Sequence, residues 1–290
     1  MAAAVRSLGY LRFTSTNLDE WREFGENLLG LNVAEHTADR LRFRMDEYEY
    51  RFEVVPSDTD KVATVGWEVA TEEDLEDLTA RLELAGYKVE RPDRDVIRAR
   101  DVSQLVTFRD PDDGFDLELY IGLKTANERF YSVKGATFVA GRLGLGHVFQ
   151  VVTDAAKYNE LYRDILGFRL SDYIDVSPEL EATFLHCNPR HHSFAFVQNP
   201  ARPAGIGHFM VEVDDLDCVG RTWQQMLDDK EPVIQTLGRH TNDKMISAYV
   251  KTPANVGVEY GYGGILIDDA TWTPTRYDWA HYWGHEKQKL

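Results

Sequence analysis

LGHVFQ at Leu145–Gln150 has a near copy upstream, LGYLRF at Leu8–Phe13, and the residues that follow repeat in step. DILGFRL (Asp164–Leu170) answers NLLGLNV (Asn27–Val33); residue 8 maps to 145 and 27 to 164, an offset of 137. Further on, IGHFMVEV (Ile206–Val213) answers VGWEVA (Val65–Ala70), and AYVKTPANVGVEYGYG (Ala248–Gly263) answers TFRDPDDGFDLELYIG (Thr107–Gly122). There 65 maps to 206 and 107 to 248, an offset of 141, so a small insertion lies between the two sets. The period is far longer than that of a solenoid unit. The chain reads as two similar modules, 1–135 and 136–290.

Each module opens with a short alternating run, Leu11 and Phe13 in the first and Val148, Gln150 and Val152 in the second, which is strand-like. An amphipathic helix is expected next. Leu18, Trp21, Phe24 and Leu28 recur every three or four residues, as do Tyr158, Leu161, Tyr162 and Ile165. Gly30 and Gly167 fall just past these helices, where a left-handed C-cap residue belongs. Strand-like runs follow at 41–44 and 50–55, and at 181–185 and 193–197. The pattern then repeats inside each module. Strands at 66–70 and 208–213 lead into helices at 72–85 and 216–227, and in the first module strands at 96–99, 105–108 and 117–120 close the unit. The predicted fold is α+β: two modules, each a pair of β-α-β-β-β units forming a curved mixed sheet around a cleft.

The 290-residue chain is 43% hydrophobic and 28% charged, an ordinary globular composition, with a formal net charge of −17. Such an acidic surface repels phosphate backbones and anionic membranes, which excludes nucleic acid as the main partner. Cys187 and Cys218 have no metal-ligand spacing and fit a reducing compartment. The N-terminus has no leader pattern, and no apolar run approaches the ~18 residues that span a bilayer. A cytoplasmic protein is expected.

The repeat allows the two copies to be compared. His147 stands where the first module has Tyr10, His208 where it has Trp67, and Glu259 where it has Glu118. A lone strand histidine is usually a packed core residue. Three matched positions that offer two imidazoles and a carboxylate in one copy only point instead to a metal site, because the fold of the first copy does without the histidines. Two His and one carboxylate form the facial set that binds Fe(II) for O₂ chemistry and leaves positions open for a chelating substrate. Mn(II) takes the same ligands and is the minority expectation.

Five segments carry a further likeness: GRLGLGHVFQVV (Gly141–Val152), ATFLHCNPRHHSFAF (Ala182–Phe196), IGHFMVEVDDLDCVG (Ile206–Gly220), LGRHTNDKMISAYVKTP (Leu237–Pro253) and VGVEYGYGG (Val256–Gly264), with WGH (Trp283–His285) near the end. Together they resemble the type I extradiol dioxygenases of the vicinal-oxygen-chelate superfamily, over essentially the whole chain, and most of all those acting on bicyclic catechols such as 2,3-dihydroxybiphenyl. The resemblance implies that His147, His208 and Glu259 hold the metal and that His192 is the acid–base group. It places His240, Asn242 and Asp243 beside the substrate, makes Tyr249 the hydrogen-bond donor to a metal-bound catecholate oxygen, and makes Phe184 a wall of the ring pocket, with Phe149 near it. It also implies a homo-oligomer, often an octamer. His191 is expected to point away and shape the turn, and Trp272, Trp279, Tyr282 and Trp283 to pack the tail over the second module. The rivals are a glyoxalase-type lyase or isomerase and a non-enzymatic binding protein of the same superfamily. The identity of the catechol, whether dihydroxybiphenyl, dihydroxynaphthalene, a steroid catechol or an alkylcatechol, stays open.

Overall fold

A computed structural model describes residues 3–288. The first sheet contains β1 (Val5–Ser15), β2 (Asn32–His36), β3 (Leu41–Arg44), β4 (Phe52–Pro56), β5 (Lys61–Val69), β6 (Gln104–Arg109) and β7 (Asp116–Ile121) in the order β2-β3-β4-β1-β5-β7-β6. The second contains β8 (His147–Val152), β9 (Arg169–Ser177), β10 (Leu180–His186), β11 (Phe194–Gln198), β12 (Gly205–Val213), β13 (Val233–His240), β14 (Ile246–Lys251) and β15 (Gly257–Tyr262). Two short C-terminal strands, β16 (Thr275–Tyr277) and β17 (His281–Trp283), are added at its two edges. In both sheets the first strand of each unit pairs in parallel with the last, β1 with β4, β5 with β7, β8 with β11 and β12 with β15. The two units of a sheet meet through antiparallel pairs, β1 with β5 and β8 with β12. The sheets are mixed and the class is α+β, as the repeat predicts.

The helices also follow the pattern. Asn17, Thr71, Asp154 and Asp215 cap α1 (Leu18–Glu23), α2 (Glu72–Leu84), α4 (Ala155–Asn159) and α5 (Leu216–Asp228) by accepting from first-turn N–H groups. The helices expected at 18–29 and 155–166 each run on into a wider π turn, Phe24–Leu28 and Glu160–Ile165. Gly30 and Gly167 end them at φ 76° and 80°. One expectation fails: the strand at 96–99 is a short helix, α3 (Arg94–Ala99). Asp93 accepts from the N–H groups of Asp95 and Val96, and this cap, directly after Pro92, starts a helix before a ladder can form.

One hydrophobic core runs through both halves. Trp67 is fully buried and meets Tyr162, Phe168 and Phe194 of the other half edge to face, with centroids 5.1–6.5 Å apart. Phe209 returns the contact against Phe13 and Phe52. Truncating such a residue to Ala costs about 3–5 kcal/mol.

The strand registers correct the comparison of copies. Tyr10, Gly66 and Glu118 sit side by side, as do His147, Met210 and Glu259. Two residues away, Arg12 faces Thr64 where Phe149 faces His208. The counterpart of His208 is therefore Thr64 and not Trp67, which lies on the opposite face and packs the core. By the same registers Arg42 and Glu53 match Phe184 and Ala195. In the first module these positions form a buried ionic plug. Glu53 takes Arg12 at 2.5 Å and Arg42 at 2.9 Å, while Glu118 takes Arg100 at 3.0 Å and the Tyr10 hydroxyl. In the second module the matching side chains leave an open cavity.

Candidate metal centre

Adjacent strands of the second sheet deliver three donors to one point. His147 opens β8, His208 lies on β12 and Glu259 on β15. Gly146 permits the approach of β8 to β12: at φ 154°, any Cβ there would fall 1.8 Å from the Met210 carbonyl oxygen. His147 Nε2 lies 3.3 Å from His208 Nε2 and 3.3 Å from Glu259 Oε2, and His208 Nε2 lies 3.6 Å from the same oxygen. Donors about 2.1 Å from a common ion, at near right angles, stand about 3 Å apart, so the three fit one cation. Burial holds the His208 imidazole down to about 3, against the pull of Glu259, which keeps it in the neutral form a metal requires.

The two oxygens of Glu259 are divided. Oε2 faces the histidines, while Oε1 accepts from Ser247 Oγ at 2.6 Å and lies 3.2 Å from His240 Nε2. Burial disfavours the carboxylate charge, but bonds from His147 and His240 overcome it, and the group lies well below the ordinary glutamate range. His240 gives its Nδ1 proton to the Ala280 carbonyl at 3.0 Å, so Nε2 turns toward Glu259 and toward the Tyr249 hydroxyl, 2.7 Å away. Burial lowers the His240 pKa, and the bond and charge of Glu259 more than offset it, raising it to about 9. Burial and the same carboxylate push Tyr249 well above the ordinary phenol range.

His192 stacks on His147 with ring centroids 3.9 Å apart, and Phe184 meets it edge-on at 5.0 Å. Desolvation, with the neighbouring histidines, holds its pKa well below the ordinary value. Phe149 lies flat against His208 at 5.1 Å, 3° from parallel. Asn242 and Asp243 are buried and line the same cavity; Asp243 Oδ1 accepts from the Met245 N–H at 3.0 Å, and its Oδ2 lies 3.9 Å from His192 Nδ1. The structure thus brings together all ten residues singled out in the sequence around one cavity of about 1490 Å³. Above the donors, Val151, Ile174, Ala182 and Phe184 make an apolar wall, and charged groups such as Arg276 and Lys287 stand elsewhere on the lining.

The neighbouring residues are placed as follows. His191 lies in the bend between β10 and β11 and is absent from the cavity lining; its ring is buried, with Nδ1 3.1 Å from His192 Nδ1. Of the tail aromatics, Trp272 packs edge-on to His191, but Trp279, Tyr282 and Trp283 are 75%, 59% and 47% exposed. The sequence reading also missed Ser247 and His285. His285 gives its Nε2 proton to the Ser247 carbonyl at 3.1 Å and packs against His240 with ring centroids 4.2 Å apart and planes tilted by 42°, so the C-terminal segment braces the centre. WGH was the one available signal for His285; Ser247 had none.

Comparison with known proteins decides the family. A biphenyl-2,3-diol 1,2-dioxygenase from Paraburkholderia xenovorans (strain LB400) is 39% identical, over 98% of this chain and 96% of its own. The chain belongs to the extradiol dioxygenases. An iron-dependent extradiol dioxygenase from Rhodococcus jostii (strain RHA1) is 36% identical over 98% of this chain and 97% of its own. The crystal structure of BphC, a halotolerant catechol dioxygenase, superposes with a TM-score of 0.92 at 34% identity, covering 99% of this chain and 96% of that one. The family model of the Glyoxalase/Bleomycin resistance protein/Dioxygenase superfamily matches residues 144–260, and that of Dihydroxybiphenyl dioxygenase BphC D1 matches 8–56. This extradiol dioxygenase is therefore a ring-cleaving, metal-binding enzyme on the glyoxalase fold, and the lyase and binding-protein alternatives fall away. Among the described residues, no helix is long and apolar enough to cross a membrane.

Proposed function

We propose that this enzyme uses O₂ to open a bicyclic or 3-substituted catechol, with 2,3-dihydroxybiphenyl as the representative substrate, beside the diol at an Fe(II) centre held by His147, His208 and Glu259. The convergence of the three donors at the base of a large, partly apolar cavity carries the reading. Fe(II) is preferred because two histidines and one carboxylate with open positions are its dioxygenase set, and Mn(II) is the minority alternative. Bound there, Fe(II) supplies a Lewis acid for the diol oxygens and electrons for O₂.

The chain's own residues do the rest. Tyr249, beside Glu259, hydrogen-bonds a substrate oxygen while His240 fixes its hydroxyl. His192, neutral and buried against His147, takes a proton and returns it as charge develops on oxygen. The wall of Val151, Ile174, Ala182 and Phe184 houses the ring substituent and excludes water. Asn242 and Asp243 border the ring, and Phe149 holds His208 flat. In this reading residues 1–135 are a module without a metal site and 136–290 the catalytic module. The buried unpaired cysteines agree with a cytoplasmic setting, and the exposed Trp279, Tyr282 and Trp283 with a homo-oligomer, up to an octamer.

The test is to load the protein with Fe(II) without air, add 2,3-dihydroxybiphenyl and then air, and follow visible absorbance. A yellow product that disappears in Glu259→Ala supports the reading. No product from that catechol, 3-methylcatechol or 1,2-dihydroxynaphthalene, despite bound iron, ends it.

A further inference from the structure

His192 does not stand alone behind its cavity. Its Nδ1 faces His191 Nδ1 at 3.1 Å, and His191 Nε2 faces Asp172 Oδ2 at 2.7 Å. All three side chains are buried, with Asp172 and its neighbour Ser171 fully enclosed. Asp172 Oδ1 is also occupied: it accepts the backbone N–H of Thr275 at 2.7 Å, where β16 lies on β9. The His191 backbone is pinned by Ser171 Oγ, which reaches its carbonyl at 2.5 Å, and Trp272 covers its ring and bonds the Ser171 carbonyl.

The protons on this line are determined by its far end. A carboxylate only accepts, so His191 Nε2 carries the proton that Asp172 receives. An imidazole that carries that proton alone presents a bare Nδ1. The short contact between the two Nδ1 atoms needs one proton, and that proton sits on His192. Asp243 Oδ2, 3.9 Å from the same His192 nitrogen, favours it there. The remaining nitrogen of His192, Nε2, is left bare on a ring that lines the cavity.

We infer that Asp172 and His191 are positioning residues that lock His192 in the tautomer with a bare Nε2, so that His192 meets the substrate ready to accept a proton. The inference rests on the reading of His192 as the acid–base group. When the substrate hydroxyl gives its proton to Nε2, the new imidazolium already donates from Nδ1 to His191, whose polarity Asp172 sustains; no second proton has to enter from solvent. A buried histidine without this line would take either tautomer, and only one can act as a base.

An Asp172→Asn substitution separates this role from packing. The Thr275 N–H requires an oxygen, so the amide NH₂ must face His191. His191 then accepts at Nε2 and donates from Nδ1, His192 accepts at Nδ1, and its proton is forced onto Nε2. The shape is unchanged and both tautomers are reversed. In the family of serine proteases, the same exchange behind a catalytic histidine costs about 10⁴ in kcat.

The first readout is nitrogen-15 spectroscopy of histidine-labelled, zinc-substituted full-length protein, which is diamagnetic. The wild type is expected to show His192 bare at Nε2 and protonated at Nδ1, and Asp172→Asn the reverse. Kinetics on the iron enzyme with 2,3-dihydroxybiphenyl should show kcat down by about 10²-fold or more in Asp172→Asn, with KM and metal content within about twofold. In a His192→Phe background, Asp172→Asn should add no further loss. Wild-type His192 protonated at Nε2 overturns the inference, and so does an equal loss of kcat in both backgrounds. If His192→Phe alone leaves kcat unchanged, the reading of His192 fails, and the spectra still decide the tautomer.

Discussion

Glu118 and Glu259 occupy the same strand position in the two halves of the chain, yet Glu118 is tied down by Arg100 at 3.0 Å and by Tyr10, while Glu259 keeps one oxygen turned toward two imidazoles. The first module does more than lack histidines. A guanidinium fills the place where a metal's charge would lie. Restoring the ligands by Tyr10→His with Thr64→His should therefore leave bound metal at one ion per chain, measured by elemental analysis after Fe(II) loading. Two ions per chain would show that Arg100 yields its place.

Loss of the Glu259 carboxylate leaves two imidazoles as the only donors. Glu259→Ala is expected to lower metal affinity by more than about 100-fold, beyond the 10–100-fold typical for loss of an outer-shell partner. It should also abolish the rise in melting temperature that metal gives the wild type, because a ligand that binds only the folded state stabilises it by mass action. A metal-dependent shift that survives the substitution would count against Glu259 as a ligand.

Tyr249 offers a separable test of proton placement. Tyr249→Phe removes the hydroxyl 2.7 Å from His240 Nε2 and leaves the three donors intact. Metal content should be unchanged and kcat should fall about 10²-fold, as for loss of a group that acts on developing charge. Equal kcat in the two proteins would return Tyr249 to a packing role.

The ionic plug should govern acid stability. Burial raises the Glu53 pKa, but Arg12 and Arg42 more than offset it, and the folded-state value lies below the ordinary one. A carboxyl depressed in this way stabilises the fold above its unfolded pKa of about 4.3, and that contribution is lost as pH falls through the lower folded value. Glu53→Gln should cost about 3–5 kcal/mol at pH 7 by leaving Arg12 without a carboxylate and Arg42 with Asp101 alone. Its urea midpoint should then change less than that of the wild type between pH 5 and pH 3. Parallel curves for the two proteins would place the acid sensitivity elsewhere.

Ile174, buried and on the cavity wall, offers no donor to the metal centre, so its size can alter selection without removing a reacting group. Ile174→Phe should lower kcat/KM for 2,3-dihydroxybiphenyl relative to 3-methylcatechol by about 10–200-fold, the range that pocket shape commands. An unchanged ratio would put the ring substituent elsewhere in the cavity.

Much of the centre was legible because the chain carries its own comparison. The doubled pattern exposed His147 against Tyr10 and Glu259 against Glu118, and these pairings match the strand registers. His208 was found beside the wrong partner. β-Bulges shift the register between Leu8 and Tyr10 in one sheet and between Ile206 and His208 in the other, so equal spacing along the chain no longer means equal position across the sheet. The helix at 94–99 was hidden for a related reason: one apolar pair, Val96 and Ile97, fits either period, and Asp93 as a cap decides it. Asp172 was invisible because its importance comes from a contact 19 residues away with His191 and another 103 residues away with Thr275. Neither spacing belongs to any local pattern.

The π turns at Phe24–Leu28 and Glu160–Ile165 fall at corresponding points of the two halves, their starts 136 and their ends 137 residues apart. Such turns are rare and occur mostly as single wide turns within α-helices. Their recurrence at one point of both halves marks them as part of the internal repeat. The widened helix therefore belongs to the pattern that both halves share, whereas the three candidate metal donors lie on strands of the second half alone.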